Sequence, residues 1–278
     1  MAPASNHPPQ IDPPTLSLYH DETYEQKVMA WDADGDPVTV RAPLLPTWMS
    51  FDTTTLTLSG APGWRNIGVQ SLVLTAFDGM VQTRDSFQIT VNLAPCLRRA
   101  VFGPPSTSPY VMPFPVGTTP LVLQTYCGPG SHSRDNQLAY DFRTGFGTPV
   151  VAARAGVVST VVDLWPDSDK DDSHFNYVLI THADGTFAFY AHLEHQSLTV
   201  HRGESVSQGQ TIAAAGESGT PTGCVFEECG VLHFGVYNQS WRIDLPVNFS
   251  NADGSLDSLG GLVTGAFYTA TTWNPPAP

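Results

Sequence analysis

Nine histidines, four cysteines and two runs of alternating aspartates are the residues of this chain whose types could do chemistry. Asp32, Asp34 and Asp36 alternate around Gly35, and Asp167, Asp169 and Asp171 alternate within PDSDKDDSHF. Oxygen clusters at this spacing can hold calcium. The first trio also reads as turn formers capping a hairpin. The second lacks the later Gly and Glu of a calcium loop and reads as a solvated acidic lid, with His174 lining a cleft. Calcium is the less favoured reading of both. His182 falls in a strand and reads as structural, and His195 and His201 read as surface residues.

Cys96 and Cys127 flank a Pro-rich stretch, and Cys224 and Cys229 lie close together. Four cysteines allow three pairings, of which nearest-neighbour pairing is expected. Four reduced thiols are the alternative. No C-x2-C spacing favours a four-cysteine zinc cluster. Two disulfides would place the chain in an oxidising compartment, secreted or at a cell surface. The N-terminus, MAPASNHPPQIDPP, has neither the basic nor the apolar region of a signal peptide, so none is expected within this chain.

The elements that must position these residues follow from composition. At 278 residues the chain has room for two domains. Only 14% of residues are charged, and Gly and Pro each occur 24 times. That is poor material for long surface helices and good material for strands and turns. With 41% hydrophobic residues the chain is not a disordered tail. A net charge of −14 argues against nucleic acid and against an anionic membrane surface. No stretch approaches the roughly 20 apolar residues of a membrane span. The fold class expected is all-β.

A boundary is expected near residue 95. In 8–95, Phe87, Ile89 and Val91 alternate with polar residues, and Leu72, Leu74 and Ala76 suggest the neighbouring strand. Recurrent glycine turns complete the pattern of a β-sandwich. The phrases WDADGDPVTV, LPTWMSFD, LTLSGAP and LTAFDG followed by DSFQITV resemble the dystroglycan-type cadherin-like, or immunoglobulin-like, domain of bacterial surface proteins. The resemblance implies a spacer or adhesion unit. Residues 96–109 read as a Pro-rich linker, 110–245 as a second domain and 246–278 as a C-terminal extension.

In the second domain, Asn176–His182 and Thr186–His192 flank an Asp-Gly loop and predict an antiparallel hairpin. Val150–Ala152, Val157–Val162, Leu198–Val200 and Thr211–Ala214 add strands. AYDF, GTPVVAARAGVV, NYVLITHADGTFAFYAHL, VHRGESVSQGQTIAAAGESGTPTG and LHFGV follow one another in the order of the lysostaphin-type zinc endopeptidases, over roughly 110–240. The resemblance implies an antiparallel β domain with a duplicated hybrid motif, a single zinc ion and hydrolysis of bacterial peptidoglycan peptides.

The ligands that the resemblance implies are Asp141 in YDF, His233 in LHF and a first histidine. The usual spacing would put that histidine at position 137, which holds Gln137. A branch of the family instead carries Ser-His nine residues before the Asp, as Ser131-His132 stand here, so His132 is the expected ligand. Three protein ligands leave a fourth position for water. The resemblance also implies two histidines that are not ligands. His192 in YAHL matches one, and strand alternation puts it on the face of Ala188 and Tyr190. The other position holds Val231, an isopropyl group that can exchange no proton. Loss of one acid–base partner typically lowers rates roughly 10²–10⁴-fold, so weakened hydrolysis is expected. Glu227 or Glu228 is a candidate substitute. The alternatives are a zinc- or cell-wall-binding member without catalysis and a surface adhesion protein.

Overall fold

The computed structural model describes residues 6–20, 22–127, 132, 137–219, 229–238 and 243–273. The chain divides into two compact units, Met1–Pro95 and Cys96–Pro278. Both are built of strands; the α-helix among the described residues is the single turn Cys96–Arg99.

In the first unit, Ser17–Tyr19, Gln82–Asn92, Gly68–Phe77 and Thr39–Leu44 form one sheet in that order, and Tyr24–Lys27, Thr57–Gly60 and Met49–Asp52 form a second. Their inner faces make the core with Leu18, Tyr24, Val40, Met49, Leu58, Leu72, Leu74, Ile89 and Val91. This is a β-sandwich, and the expected pair of neighbouring strands meets with Leu72 opposite Phe87. Asp32 Oδ1 accepts the backbone amides of Asp34 and Asp36 at 2.8 and 3.4 Å, as a turn former does. One carboxylate oxygen from each of the three aspartates lies within 4.8 Å of the others.

The second unit is organised by an eight-stranded sheet. Its order is Leu121–Gln124, Tyr140–Gly145, Cys229–Tyr237, Phe187–Ala191, Tyr177–Thr181, Gly156–Val162 and Ser205–Val206, with Asp244–Leu245 also paired to Cys229–Tyr237. The hairpin forms with Thr181 opposite Phe187. Its loop turns because Gly185 adopts φ 80° and Asp184 Oδ1 accepts the Thr186 amide. Leu198–Val200 forms no strand: Thr199 N donates to Ile212 O at 3.0 Å, and no ladder follows.

The segment read as a linker packs within this unit. Ala100 joins Tyr126 and Leu138 in a small apolar cluster, and the Arg99 guanidinium forms a buried ion pair with Asp244. The C-terminal residues are equally integral. Val247, Phe249, Leu262, Tyr268 and Ala270 belong to the main core. A disulfide joins Cys96 to Cys127. Cys229 is also disulfide-bonded, and Cys224, its expected partner, lies outside the described residues.

His182 is structural, as expected from its place in the hairpin. It is 3% exposed, and its Nδ1–H donates to Ala155 O at 2.9 Å. Burial pushes its imidazole down to about 4. A histidine whose folded value is depressed binds fewer protons in the native state, so stability is full above the unfolded value near 6.5 and is lost as pH falls through 4. The loss should total about 3 kcal/mol, on the scale of 1.36 kcal/mol per unit. Urea unfolding between pH 7 and 4 should be less pH-dependent in His182→Gln than in the native chain; parallel curves would contradict this.

The Cys96–Cys127 bridge closes a loop with a sequence separation of 31. Cys96→Ser/Cys127→Ser should lower the unfolding free energy by roughly 3–4 kcal/mol. An unchanged denaturation midpoint would contradict that value.

Candidate metal centre

Strand alternation sorts the sheet into two faces. Tyr140, Phe142, Ala188, Tyr190, Leu232 and Phe234 point into the main core. Asp141, Val231, His233, Phe187 and Phe189 fall on the opposite face. Register then brings Asp141 and His233 together as direct cross-strand neighbours, with Ala191 on the other side of His233. The His233 Nδ1–H donates to Asp141 Oδ1 at 2.8 Å.

His132 reaches the same carboxylate from outside the sheet. Its Nδ1–H donates to Thr125 O at 2.8 Å, which leaves the Nε2 lone pair facing the cluster. Nε2 lies 3.1 Å from Asp141 Oδ2. The two imidazoles meet edge to face, 5.4 Å between ring centroids. All three side chains are buried. Burial pushes the Asp141 carboxyl up, but the His132 and His233 imidazoles that face it outweigh this and hold the group well below the usual carboxylate range. Burial also pushes His132 down, and the Asp141 carboxylate more than offsets it.

These residues fit a zinc ion. Donors about 2.1 Å from a tetrahedral centre stand about 3.4 Å from one another. One donor atom from each of His132, Asp141 and His233 lies within 4.8 Å of the others. The Nε2 atoms of His132 and His233 are buried without a hydrogen-bond partner; the structural His182 shares that property, so it is the convergence of three donors that marks the site.

His192 departs from the strand pattern. Its φ is 63°, so the alternation that would align it with Ala188 and Tyr190 ends at Ala191. The ring turns instead to the His233 face, 6.4 Å from His233 and 5.8 Å from Phe175 between centroids. Its Nδ1–H donates to Ser218 O at 2.8 Å, leaving Nε2 as the basic atom. Burial pushes this imidazole down, which favours the neutral form. A buried polar network holds the acceptor. Ser218 Oγ donates to Leu193 O and accepts the Asn176 amide, and the Asn176 side chain binds backbone groups of Leu164, Trp165 and Leu193. Sequence reading passed over Asn176 and Ser218. The only signal was a polar residue at each end of strongly apolar text. Gly219 has φ 69°, and a Cβ there would stand 3.5 Å from His192 Nδ1.

Val231 lies two residues before His233 on the same face and is 1% exposed. Its cross-strand neighbour is Arg143. Glu227 and Glu228 lie outside the described residues. The acidic segment is tied to the protein rather than free: Asp167 accepts the amides of His195 and Glu217, and Asp169 pairs with His174, whose ring stacks 3.7 Å from Trp165. His201 is exposed, whereas His195 is half-buried beside Asp163 at 3.3 Å.

Residues 135–245 match Peptidase family M23, and residues 7–92 match the family described as "Putative Ig domain". The second unit therefore carries an M23 peptidase domain, and the first an Ig-like domain. Over 83 residues the chain is 37% identical to the peptidoglycan DD-endopeptidase ShyC of Vibrio cholerae, a match covering 30% of this chain and 17% of that protein. The chain thus spans less than a fifth of that relative's length. Among solved structures it is similar to the catalytic domain of the antimicrobial peptidase lysostaphin from Staphylococcus simulans, 22% identical over 46% of this chain and 88% of that one, TM-score 0.32. It is also similar to a zinc containing peptidase from Vibrio cholerae, 14% identical over 81% and 79%, TM-score 0.37. His132 precedes the matched M23 segment, so its place in the cluster rests on the geometry above.

The φ of His192 gives a direct test of strain at this site. A side chain in the left-handed region costs about 1 kcal/mol that glycine avoids. His192→Gly should therefore be more stable than His192→Ala by about that amount in urea unfolding, the reverse of the usual order within a strand. An alanine variant equal to or above the glycine variant would remove the strain.

Proposed function

We propose that this chain is an extracellular zinc-dependent endopeptidase of the lysostaphin type, hydrolysing peptide bonds in bacterial peptidoglycan, with activity weakened by Val231. The observation that carries this reading is the buried convergence of His132, Asp141 and His233, in a unit that matches an M23 peptidase. The named activity of the Vibrio cholerae relative supports peptidoglycan as the substrate. Disulfide-bonded Cys96, Cys127 and Cys229 support an oxidising location.

In this reading His132, Asp141 and His233 hold the metal. Zinc there would polarise the scissile carbonyl and lower the pKa of a water. His192, fixed by Ser218 with Nε2 free, accepts the proton of the attacking water and stabilises charge on the tetrahedral carbon's oxygen. Thr125 orients His132 and excludes its other tautomer. Val231 contributes neither proton nor hydrogen bond. It is the feature favouring a second reading, a member that binds zinc or cell-wall peptides without cutting them.

Metal analysis should find one zinc per native chain and none bound stoichiometrically in His233→Ala. Turbidity loss of purified cell walls should be slow with the native chain and faster with Val231→His. His192→Ala should reduce it by roughly 10²–10⁴-fold. Unchanged zinc in His233→Ala would sink the ligand assignment. Absence of cleavage by both the native chain and Val231→His would favour the binding-only reading.

A further inference from the structure

Arg143 follows Asp141 by two residues on the Tyr140–Gly145 strand. Tyr140 and Phe142 are buried in the core, so Asp141 and Arg143 share the opposite face. The register pairs Asp141 with His233 and Arg143 with Val231. Arg143 thus stands one row beyond the His132–Asp141–His233 cluster, about 6.7 Å along the strand from Asp141.

Its environment is unusual for this chain. Arg99 is paired with Asp244 and Arg154 with Asp184, while Arg41, Arg84 and Arg202 are exposed to water. Arg143 is half-buried, and among the described residues it makes no hydrogen bond or ion pair. The chain holds 26 carboxylates against 12 lysines and arginines, so acidic partners were not scarce. None of its nitrogens is among the buried unpaired atoms, so the guanidinium is open to solvent and, with no protein partner among the described residues, is available to an anionic ligand. Val231, its cross-strand neighbour, supplies no competing acceptor and keeps water from that side.

We propose that Arg143 is the carboxylate receptor beside the His132–Asp141–His233 cluster, and that it selects cross-link peptides whose residue beside the scissile amide carries a free carboxylate. The proposal rests on the peptidase reading above and names its substrate class. A planar guanidinium donates two parallel hydrogen bonds to a carboxylate, with directionality that an ammonium lacks. One row separates Arg143 from the cluster, a spacing that suits an anionic group adjoining the bond to be cut. The role is recognition and alignment: the guanidinium fixes the peptide, while proton transfer stays with His192.

The test uses two synthetic cross-link peptides of identical sequence, one with a free carboxylate beside the scissile bond and one with a primary carboxamide there. Calorimetric binding to the full chain in the presence of a chelator, where no turnover occurs, should favour the acid about tenfold. Arg143→Gln should erase that preference, chiefly by weakening the acid, with the thermal midpoint unchanged, while Arg143→Lys keeps part of it. The proposal is overturned if Arg143→Gln retains the preference, if the native chain shows none or binds neither peptide, or if both peptides weaken equally. Failure of the peptidase reading shows elsewhere, as absent zinc and absent cleavage. In a zinc-loaded enzyme that cleaves both peptides, the acid preference should appear in KM and vanish in Arg143→Gln; its absence there overturns the Arg143 assignment alone.

Discussion

The site depends on one register, Asp141 opposite His233. A strand repeats every two residues, so a slip of one position would turn every side chain to the other face. Phe142 or Leu232 would then face the cleft, and Asp141 or His233 would enter the core. Each displaced apolar residue would forfeit roughly 1.5–3 kcal/mol of burial. An ionised carboxylate without partners would cost far more. The core residues Tyr140, Phe142, Leu232 and Phe234 therefore fix the cluster on the other face without touching it. The Cys229–Tyr237 strand, buried along its whole length, is where the two faces are locked together.

Two further constraints bring in what the sheet cannot supply. His132 lies outside the strands and is aimed by a backbone carbonyl, that of Thr125 on the residue following Gln124. His192 is aimed by leaving the strand altogether, through a positive φ that the Asn176–Ser218 network stabilises. Strain of this kind persists only where the surroundings over-determine it. Here the surroundings are fully buried and hydrogen-bonded, and the strained residue is the one with a free basic nitrogen.

The candidate ligands were legible through the resemblance carried by YDF, LHF and Ser131-His132, and period-two text then assigns the strand residues to faces. Asp141 and His233 sit in strongly apolar strands, and the Asp-Gly loop announced the hairpin that carries His192. The orientation of His192 was not legible, because alternation assumes an extended backbone and a single residue in the left-handed region ends it. The packing of Phe249 and Tyr268 into the core was hidden as well. Their segment has only two-residue strands, so it offers no period to read, and its burial follows from long-range packing. Leu198–Val200 looked like a strand because three residues suffice for the pattern. One hydrogen bond to Ile212 does not make a ladder.

Val231 and Arg143 face each other across the same pair of strands, and their chemistry is complementary. A histidine at 231 would bring a hydrogen-bonding ring, ordered water and, when protonated, a second positive charge beside the guanidinium. Like charges at that spacing repel, so the guanidinium would lower the proton affinity of that imidazole, while any charge the ring did carry would attract anions without the planar fork that makes a guanidinium selective. An isopropyl group brings neither charge nor hydrogen bond, so Arg143 is the one cationic side chain that this cross-strand pair presents. In the proposed reading, the valine that withholds a proton carrier also leaves anion recognition in the next row to Arg143 alone. On that reading one cross-strand pair bears on both turnover and recognition.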